Sequence, residues 1–240
     1  MGRKINPENQ IQVMERLQEV IGYVFKEPLT LREALTHSSY ANEHRHKGLK
    51  DNERLEFLGD AILDLIISEY LFRKCKAMPE GDLSKIRASI VCEGSLAQTA
   101  KILQLGDYLQ LGKGEEMTGG KTRASLLADA FEALTGAIFL DGGFEQAKAF
   151  LEKTLVKEVE KLGPLEDLYK DYKTLLQEHI QKESTTPLIY EVTGEDGPDH
   201  DKNFYVEVYH DTICLGKGVG KSKKEAEQDA AKRALYTVRH

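Results

Sequence analysis

The chain has 240 residues, of which 40% are hydrophobic and 30% are charged, enough for one large domain or two smaller ones. Its net charge of −7 is unfavourable for a nucleic-acid partner unless basic residues are concentrated in one region. No apolar run reaches the length of a membrane span and the polar start lacks a signal-peptide core, so we expect no membrane association. The three widely spaced cysteines indicate reduced thiols and a cytoplasmic location.

The first two thirds of the chain show helical periodicity throughout. Stretches that contain glycine or proline separate one apolar repeat from the next. The pattern predicts helices over residues 8–24, 30–40, 51–74, 82–103, 122–140 and 144–161. We therefore predict an all-helical domain over residues 1–161.

The periodicity changes after the sixth predicted helix, where Gly163 and Pro164 interrupt it. Residues 162–168 are predicted to form a linker, and residues 169–240 a second, smaller domain. In this domain DYKTLLQEHIQ is amphipathic, and the stretches PLIYEV, NFYVEVYH and TICLGKGVG are typical of strands. The last stretch, SKKEAEQDAAKRALYTV, predicts a helix with Ser222 as its N-cap. The predicted order is therefore α-β-β-β-α.

A local basic region is present near the end of the chain in spite of the acidic total. Residues 166–240 carry 11 Lys and Arg against 15 Asp and Glu. Within them, residues 217–239 carry 7 basic residues against 3 acidic ones. A basic surface concentrated in this way is compatible with a nucleic-acid partner.

The helix predicted over residues 51–74 carries a narrow stripe of carboxylates. At about 100° per residue, four acidic side chains of the stretch NERLEFLGDAILDL fall within one narrow arc, and apolar residues cover most of the rest. The stripe consists of Glu53, Glu56, Asp60 and Asp64. A helix that is apolar almost all round is normally buried, and buried carboxylates repel one another and are costly to remove from water. The pattern therefore indicates a functional role for these acids.

A second apolar helix, SLLADAFEALTGAIFL, carries two further acids on one face. If the two acidic stripes face each other, they form one cluster, which is tolerable only when it is protonated or binds cations. The members of this cluster would be Glu56, Asp60, Asp129 and Glu132. Oxygen ligands without Cys or His select hard ions, which predicts Mg²⁺ or Mn²⁺. The alternative is that each acidic pair lies on a solvated strip of its helix.

The stretch NERLEFLGDAILDL closely resembles bacterial ribonuclease III, as do ALTHSSYANE before it and GKGEEMTGG and SLLADAFEALTGAIFLDGG after it. The tail, DYKTLLQEH, GPDHDKNFYVEV and GKGVGKSKKEAEQDAAKRAL, resembles the double-stranded RNA-binding domain that follows the nuclease domain in that family. The resemblance covers nearly the whole chain from about residue 10. It implies a multi-domain α and α+β fold, with an all-helical endonuclease domain and an α-β-β-β-α RNA-binding domain.

The resemblance implies a homodimeric, Mg²⁺-dependent endonuclease that cuts both strands of double-stranded RNA, with Mn²⁺ as a substitute ion. The products would carry 5′-phosphates, 3′-hydroxyls and short 3′ overhangs, and the substrates would include rRNA precursors and other transcripts. One alternative is a protein of the same fold that binds duplex RNA as a regulator without cutting it. Another is a helical metal-dependent phosphohydrolase acting on nucleotides or small phosphates, which would leave the RNA-binding tail unexplained.

The matched motifs imply roles for individual acidic and aromatic residues. The metal-binding carboxylates of the family match Glu56, Asp60, Asp129 and Glu132. Of these, Asp60 and Glu132 are expected to lie closest to the metal and to be catalytic. Glu53 and Glu80 match accessory acids, and Phe57 matches an aromatic residue in the family's dimer interface.

Three surfaces of the second domain are predicted to contact RNA, because A-form RNA is recognised by its shape, its 2′-hydroxyls and its phosphate spacing. A polar face of the first helix, suited to the minor groove, is formed by Thr174, Gln177, Glu178 and Gln181. His200, in the loop GPDHDKN, is predicted to enter a second minor groove. At the start of the last helix, Lys221, Lys223 and Lys224 are predicted to bind phosphates with the help of the helix dipole.

Overall fold

A computed structural model describes residues 7–163, 165, 172–182, 184–198 and 202–238. The chain divides into two compact units, Met1–Tyr169 and Lys170–His240. The first is helical and the second has the order α-β-β-β-α, so the predicted fold class is confirmed. Among the described residues we find no helix with the length and hydrophobicity of a membrane span.

The first unit contains ten α-helices among its described residues. They are α1 (Pro7–Ile21), α2 (Pro28–Ala34), α3 (Ser38–Glu43), α4 (Glu53–Lys74), α5 (Glu80–Ile90), α6 (Glu93–Ile102), α7 (Lys113–Met117), α8 (Ala124–Gly142), α9 (Phe144–Leu151) and α10 (Lys157–Lys161). Short 3₁₀ turns cover Arg45–Lys47, Leu105–Asp107 and Gly120–Thr122, and a π-helical turn, Glu152–Val156, joins α9 to α10.

The prediction of one continuous helix over residues 30–40 is wrong. Between α2 and α3 the chain leaves helical geometry and pairs with a distant segment around Gln110. The Gln110 N–H donates to the Leu35 carbonyl over 2.8 Å, and the His37 N–H donates to the Gln110 carbonyl over 3.1 Å. These two bonds satisfy backbone groups that a continuous helix would have used internally.

The helix predicted over residues 82–103 is also interrupted. Cys92 has extended backbone geometry, with φ of −68° and ψ of 153°, and separates α5 from α6. The turn allows α5 to pack against α4 while α6 packs against α8. Each of the two shorter helices therefore buries an apolar face that one straight helix could not.

Helix α8 lies at the centre of the first unit, in contact with α2, α4, α6 and α9. Every residue from Leu126 to Ile138 is buried except Asp129 and Glu132, which are half-buried. This central position explains why the helix is apolar on nearly every face.

The backbones of α4 and α8 touch at two glycines. A Cβ atom on Gly59 would overlap the backbone carbonyl of Glu132, and a Cβ atom on Gly136 would overlap the carbonyl of Leu55. Only residues without side chains allow two helices to cross at this separation. The crossing therefore brings the first two turns of α4 close to the middle of α8.

In the second unit, a three-stranded antiparallel sheet packs against two helices. The elements are α11 (Tyr172–Ile180), β1 (Leu188–Asp196), β2 (Asn203–His210), β3 (Ile213–Gly220) and α12 (Lys223–Val238), with strand order β1-β2-β3. Val206 and Val208 are buried in the core, as the alternation in β2 predicts. The Ser222 hydroxyl accepts a hydrogen bond from the Glu225 N–H over 3.2 Å, which confirms the predicted N-cap of α12.

The glycine crossing leads to a test of stability. Replacing Gly59 by Ala would force α4 away from α8, because the new methyl group overlaps the Glu132 backbone. We expect Gly59→Ala to lower the free energy of unfolding by about 3 kcal/mol or more. Gly81, in the first turn of α5, has open space around its Cβ position, so Gly81→Ala is the matched control and should change stability by less than about 1 kcal/mol. Urea unfolding of the full chain measures both; equal effects would contradict the close crossing.

Candidate active site

Three of the predicted carboxylates meet where α4 and α8 cross. Glu56, Asp129 and Glu132 can each offer one carboxylate oxygen, and these three oxygens all lie within 4.8 Å of one another. Glu56 is one turn before Gly59 on α4, and Glu132 is one turn before Gly136 on α8. The glycine crossing thus holds acids from two helices at the separation that a shared cation requires.

Partial burial and mutual repulsion make ionisation of this cluster unfavourable. Burial raises the pKa of Glu132 to about 7, and the negative charges of Asp60, Glu56 and Asp129 add to the rise. The pKa of Glu56 is raised by burial first and then by Asp129, Glu53 and Asp60. A bound cation stabilises the ionised form of carboxylates that are partly buried and repel one another. The donor set, oxygen only and half-buried, fits a hard divalent ion.

Asp60 and Glu53 lie at the edge of the cluster. Both side chains are exposed, and Asp60 is not part of the three-oxygen group. Their charges nevertheless act on the group, because both raise the pKa of Glu56 and Asp60 also raises that of Glu132.

Glu80 lies elsewhere, at the first position of α5. Its carboxylate accepts a hydrogen bond from the Ser84 hydroxyl over 2.8 Å. It lines an open groove together with Leu65 and Phe72, and it is not a member of the three-oxygen group. Its assignment as an accessory acid stays a prediction.

Two further titratable residues, which the sequence did not single out, act electrostatically on Asp129. Burial raises the pKa of Asp129, the charge of Glu93 adds to the rise, and His37 opposes it. Glu93 begins α6 and His37 precedes α3, so both are distant from Asp129 in sequence. Local periodicity does not indicate an electrostatic interaction between residues so far apart in the sequence.

One face of α4 carries large apolar side chains that the first unit leaves exposed. Phe57 is 81% exposed, Leu65 is 53% exposed and Phe72 is 74% exposed. Their spacing of eight and seven residues places all three on the same side of the helix. Helix α4 is therefore apolar on two sides, because one side faces the core and another forms this exposed stripe of Phe57, Leu65 and Phe72, called the Phe57 face.

The predicted RNA-contact residues of the second unit lie on its surface wherever they are described. Four polar side chains on the outer side of α11 and directly after it are exposed: Thr174, Gln177, Glu178 and Gln181. The side chains of Lys221, Lys223 and Lys224 are exposed around the start of α12. His200 lies outside the described residues.

Two family models match the chain, one in each of the two compact units. Residues 27–159 match the family described as Ribonuclease-III-like, and residues 172–237 match the Double-stranded RNA binding motif. The first match contains all four carboxylates of the cluster, and the second contains the lysines at the start of α12.

Relatives cover nearly the whole chain. The Ribonuclease 3 of Listeria monocytogenes serotype 4a is 47% identical over 226 residues, 94% of this chain and 98% of that protein. The Ribonuclease 3 of Enterococcus faecalis is 49% identical over 227 residues, 95% of this chain and 98% of that protein. A structure of the nuclease domain of ribonuclease III from Campylobacter jejuni, described as flexible in a region involved in dimer formation, aligns with a TM-score of 0.56 at 46% identity. It covers 60% of this chain and 96% of that one.

The raised pKa of Glu132 predicts that the stability of the metal-free protein depends on pH. The folded-state pKa of about 7 lies above the ordinary value of 4.5, so the folded protein binds this proton more tightly than the unfolded chain. The resulting stabilisation is fully present below pH 4.5 and is lost as the pH rises through about 7. Glu132→Gln removes this titration, so in EDTA we expect the variant to melt above the native protein at pH 8 and close to it at pH 5.

The same thermal melts, repeated with Mn²⁺, provide the control for this prediction. Metal binding requires the ionised carboxylate, so Mn²⁺ should raise the Tm of the native protein more at pH 8 than at pH 5. Glu132→Gln should lose most of this increase. Parallel pH profiles for the two proteins in EDTA would contradict the electrostatic account of the cluster.

Proposed function

Because the chain belongs to the ribonuclease III family, whose members are endonucleases for double-stranded RNA, we propose that the acidic cluster at the α4–α8 crossing is its metal-dependent active site. The proposed members are Glu56, Asp60, Asp129 and Glu132. The observation that carries this proposal is the convergence of three half-buried carboxylates, with oxygens within 4.8 Å of one another, from two different helices. Such a group is unfavourable in an apolar setting unless it holds a cation.

The proposed cation is Mg²⁺, with Mn²⁺ able to replace it, because the ligands are all carboxylate oxygens. When bound, it would supply the Lewis acidity that makes water nucleophilic and offsets the negative charge on the phosphate. Glu132, which is the most difficult of these acids to ionise, gains most from the positive charge. Asp60 has an exposed side chain and is proposed to be catalytic together with Glu132.

The chemistry of the two cut ends depends on the nucleophile and on the leaving group. With water as the attacking group, the RNA 2′-hydroxyl is not needed as a nucleophile, and no cyclic phosphate forms. We propose that the bond between phosphorus and the 3′-oxygen breaks, so that the products carry 5′-phosphates and 3′-hydroxyls. Glu53 and Glu80 are proposed as accessory acids. The charge of Glu53 raises the pKa of Glu56, and Glu80 lines a groove beside the Phe57 face.

Duplex RNA is proposed to bind the second unit through its exposed polar and basic surfaces. The outer side of α11, from Thr174 to Gln181, is suited to the 2′-hydroxyls of a minor groove. The lysines around the start of α12 combine their charge with the positive end of the helix dipole, which favours phosphate. This local charge explains how a chain with a net charge of −7 binds a polyanion. His200 is proposed to enter a second minor groove.

We propose that the protein acts as a homodimer joined through the Phe57 face. Three large apolar side chains on one face of a single helix are costly to expose and typical of an interface. Two copies would supply two acidic clusters, one for each RNA strand, and offset cuts would leave short 3′ overhangs.

The proposed substrates are rRNA precursors and other structured transcripts in the cytoplasm. The three cysteines, Cys75, Cys92 and Cys214, form no disulfide bonds, which is compatible with a reducing compartment.

Cleavage of a long end-labelled RNA duplex tests the proposed active site. In Mg²⁺ or Mn²⁺ the native chain should cut the duplex to short products with 5′-phosphates, and Glu132→Ala should lower kcat by about 10³-fold or more. Duplex affinity, measured by filter binding, should stay close to that of the native chain because the RNA-binding surface is unchanged. Tight duplex binding by the native chain without cutting in either ion would overturn the proposal.

The double variant Lys223→Ala, Lys224→Ala is the matched control for that experiment. It should weaken duplex binding and reduce its salt dependence, because two phosphate-binding charges are lost. At saturating RNA it should still cut in Mg²⁺. A loss of kcat as large as that of Glu132→Ala would mean that the lysines, and not the cluster alone, take part in the chemistry.

The Phe57 face is tested by changing its most exposed member. Phe57→Glu places a charge on the proposed interface, so we expect sedimentation to show a shift from dimer to monomer at micromolar concentration. Val24→Glu is the control, because Val24 is 76% exposed but does not belong to α4. A dimer that persists in Phe57→Glu would contradict the proposed interface.

A further inference from the structure

The first turn of α11 is capped by a side chain of α12. The Gln228 Oε1 accepts a hydrogen bond from the Tyr172 N–H over 2.7 Å and a longer one from the Lys173 N–H over 3.4 Å. The first four N–H groups of a helix have no acceptor within the helix, so they depend on partners of this kind. Gln228 therefore satisfies two of these groups from a distant position in the chain.

Two further contacts join the same parts of the two helices. The Lys173 Nζ lies 2.6 Å from a Glu227 carboxylate oxygen. The Lys232 Nζ lies 5.5 Å from the centre of the Tyr172 ring, and Tyr172 is itself buried in the core of the second unit. Three neighbouring side chains of α12 thus contact the start of α11.

The capped turn and the basic end of α12 belong to the two proposed RNA-contact surfaces. On α11, Thr174 lies in the first turn, and its side chain is exposed. On α12, Gln228 follows Lys224 by four residues, so the two lie on the same face of the helix, one turn apart. Gln228 therefore connects the turn that carries Thr174 with the turn that carries Lys224.

A fixed separation between these surfaces matters because of the shape of the ligand. A-form RNA presents its minor-groove 2′-hydroxyls and the phosphates across the major groove at set distances from one another. A protein that contacts both loses affinity if one of its surfaces must first become ordered. If the first turn of α11 frays, Thr174 has no fixed position, and only the ordered fraction of the molecules binds with full affinity.

We propose that Gln228 is a positioning residue for duplex RNA, whose side-chain carbonyl holds the first turn of α11 at the separation from the α12 lysines that A-form RNA requires. Gln228 is not proposed to contact RNA, since it acts through the turn that carries Thr174. This role rests on the proposed function of the second unit in binding duplex RNA.

Two substitutions separate the hydrogen bonds of Gln228 from its packing. Gln228→Met keeps the length of the side chain but loses the strong acceptor, whereas Gln228→Glu keeps an acceptor oxygen. We expect amide hydrogen exchange around Tyr172 and Lys173, measured by mass spectrometry on the full chain, to become about 5-fold faster in Gln228→Met. In Gln228→Glu it should stay close to the native rate.

Duplex affinity is measured by filter binding of the full chain in EDTA, where the RNA is not cut. We expect Gln228→Met to weaken binding by about 5-fold, because the loss of the cap lowers the fraction of molecules that are ready to bind. Tyr236→Met is the control, because Tyr236 lies near the end of α12 and is 61% exposed. It should bind the duplex with native affinity.

Double variants show whether Gln228 acts through Thr174. In Thr174→Ala the contact that Gln228 positions is already lost, so adding Gln228→Met should weaken binding by less than about 2-fold. In Lys224→Ala that contact remains, and adding Gln228→Met should still weaken binding by about 5-fold. A merely structural role, through a general loss of stability, would give the same factor in both backgrounds.

Two results would overturn this assignment. One is native duplex affinity in Gln228→Met, and the other is an equal effect of Gln228→Met in the Thr174→Ala and Lys224→Ala backgrounds. Failure of the proposed RNA-binding surfaces is distinguishable from both, because Thr174→Ala and Lys224→Ala would then each bind the duplex with native affinity.

Discussion

The contact between the backbones of α4 and α8 is the constraint on which the acidic cluster depends. Gly59 and Gly136 leave no side chain between the two helices, so Glu132 and Leu55 present their backbone carbonyls directly to the opposite helix. Acids one turn away from the contact then meet from two directions. Larger residues at either glycine would separate the helices and move the carboxylates apart.

The cost of this arrangement is electrostatic, and the surrounding core offsets it. Burial and repulsion raise the pKa values of Glu56, Asp129 and Glu132, which means that the charged state is unfavourable in the folded chain. Helix α8, buried along almost its whole length, supplies the packing that keeps these residues in place. A functional site that is unfavourable on its own is common where the rest of the fold is well packed.

The two units divide the physical tasks of the molecule. The first concentrates negative charge in a half-buried cluster suited to a hard cation, while the second exposes lysines around the start of α12. Opposite electrostatic requirements, for a cation and for a polyanion, are thus met on separate compact units. The net charge of the chain consequently says little about its partner, since each interaction depends on local charge.

The sequence by itself determined the features that depend on near neighbours. The order of elements in the second unit, the alternation in β2 and the N-cap at Ser222 follow from periods and caps a few residues long. The acids of α4 and α8 were recognisable for the same reason, because a carboxylate on an apolar helix is a local anomaly.

The tertiary structure alone decided what depends on distant segments. Pairing with Gln110 ends α2 and separates it from α3, and packing against α8 separates α6 from α5. Tertiary structure also decided that Asp60 is not part of the three-oxygen group and that His37 and Glu93 act electrostatically on Asp129. These arrangements arise from contacts between residues far apart in the chain, for which hydrophobic period and helix propensity carry no information.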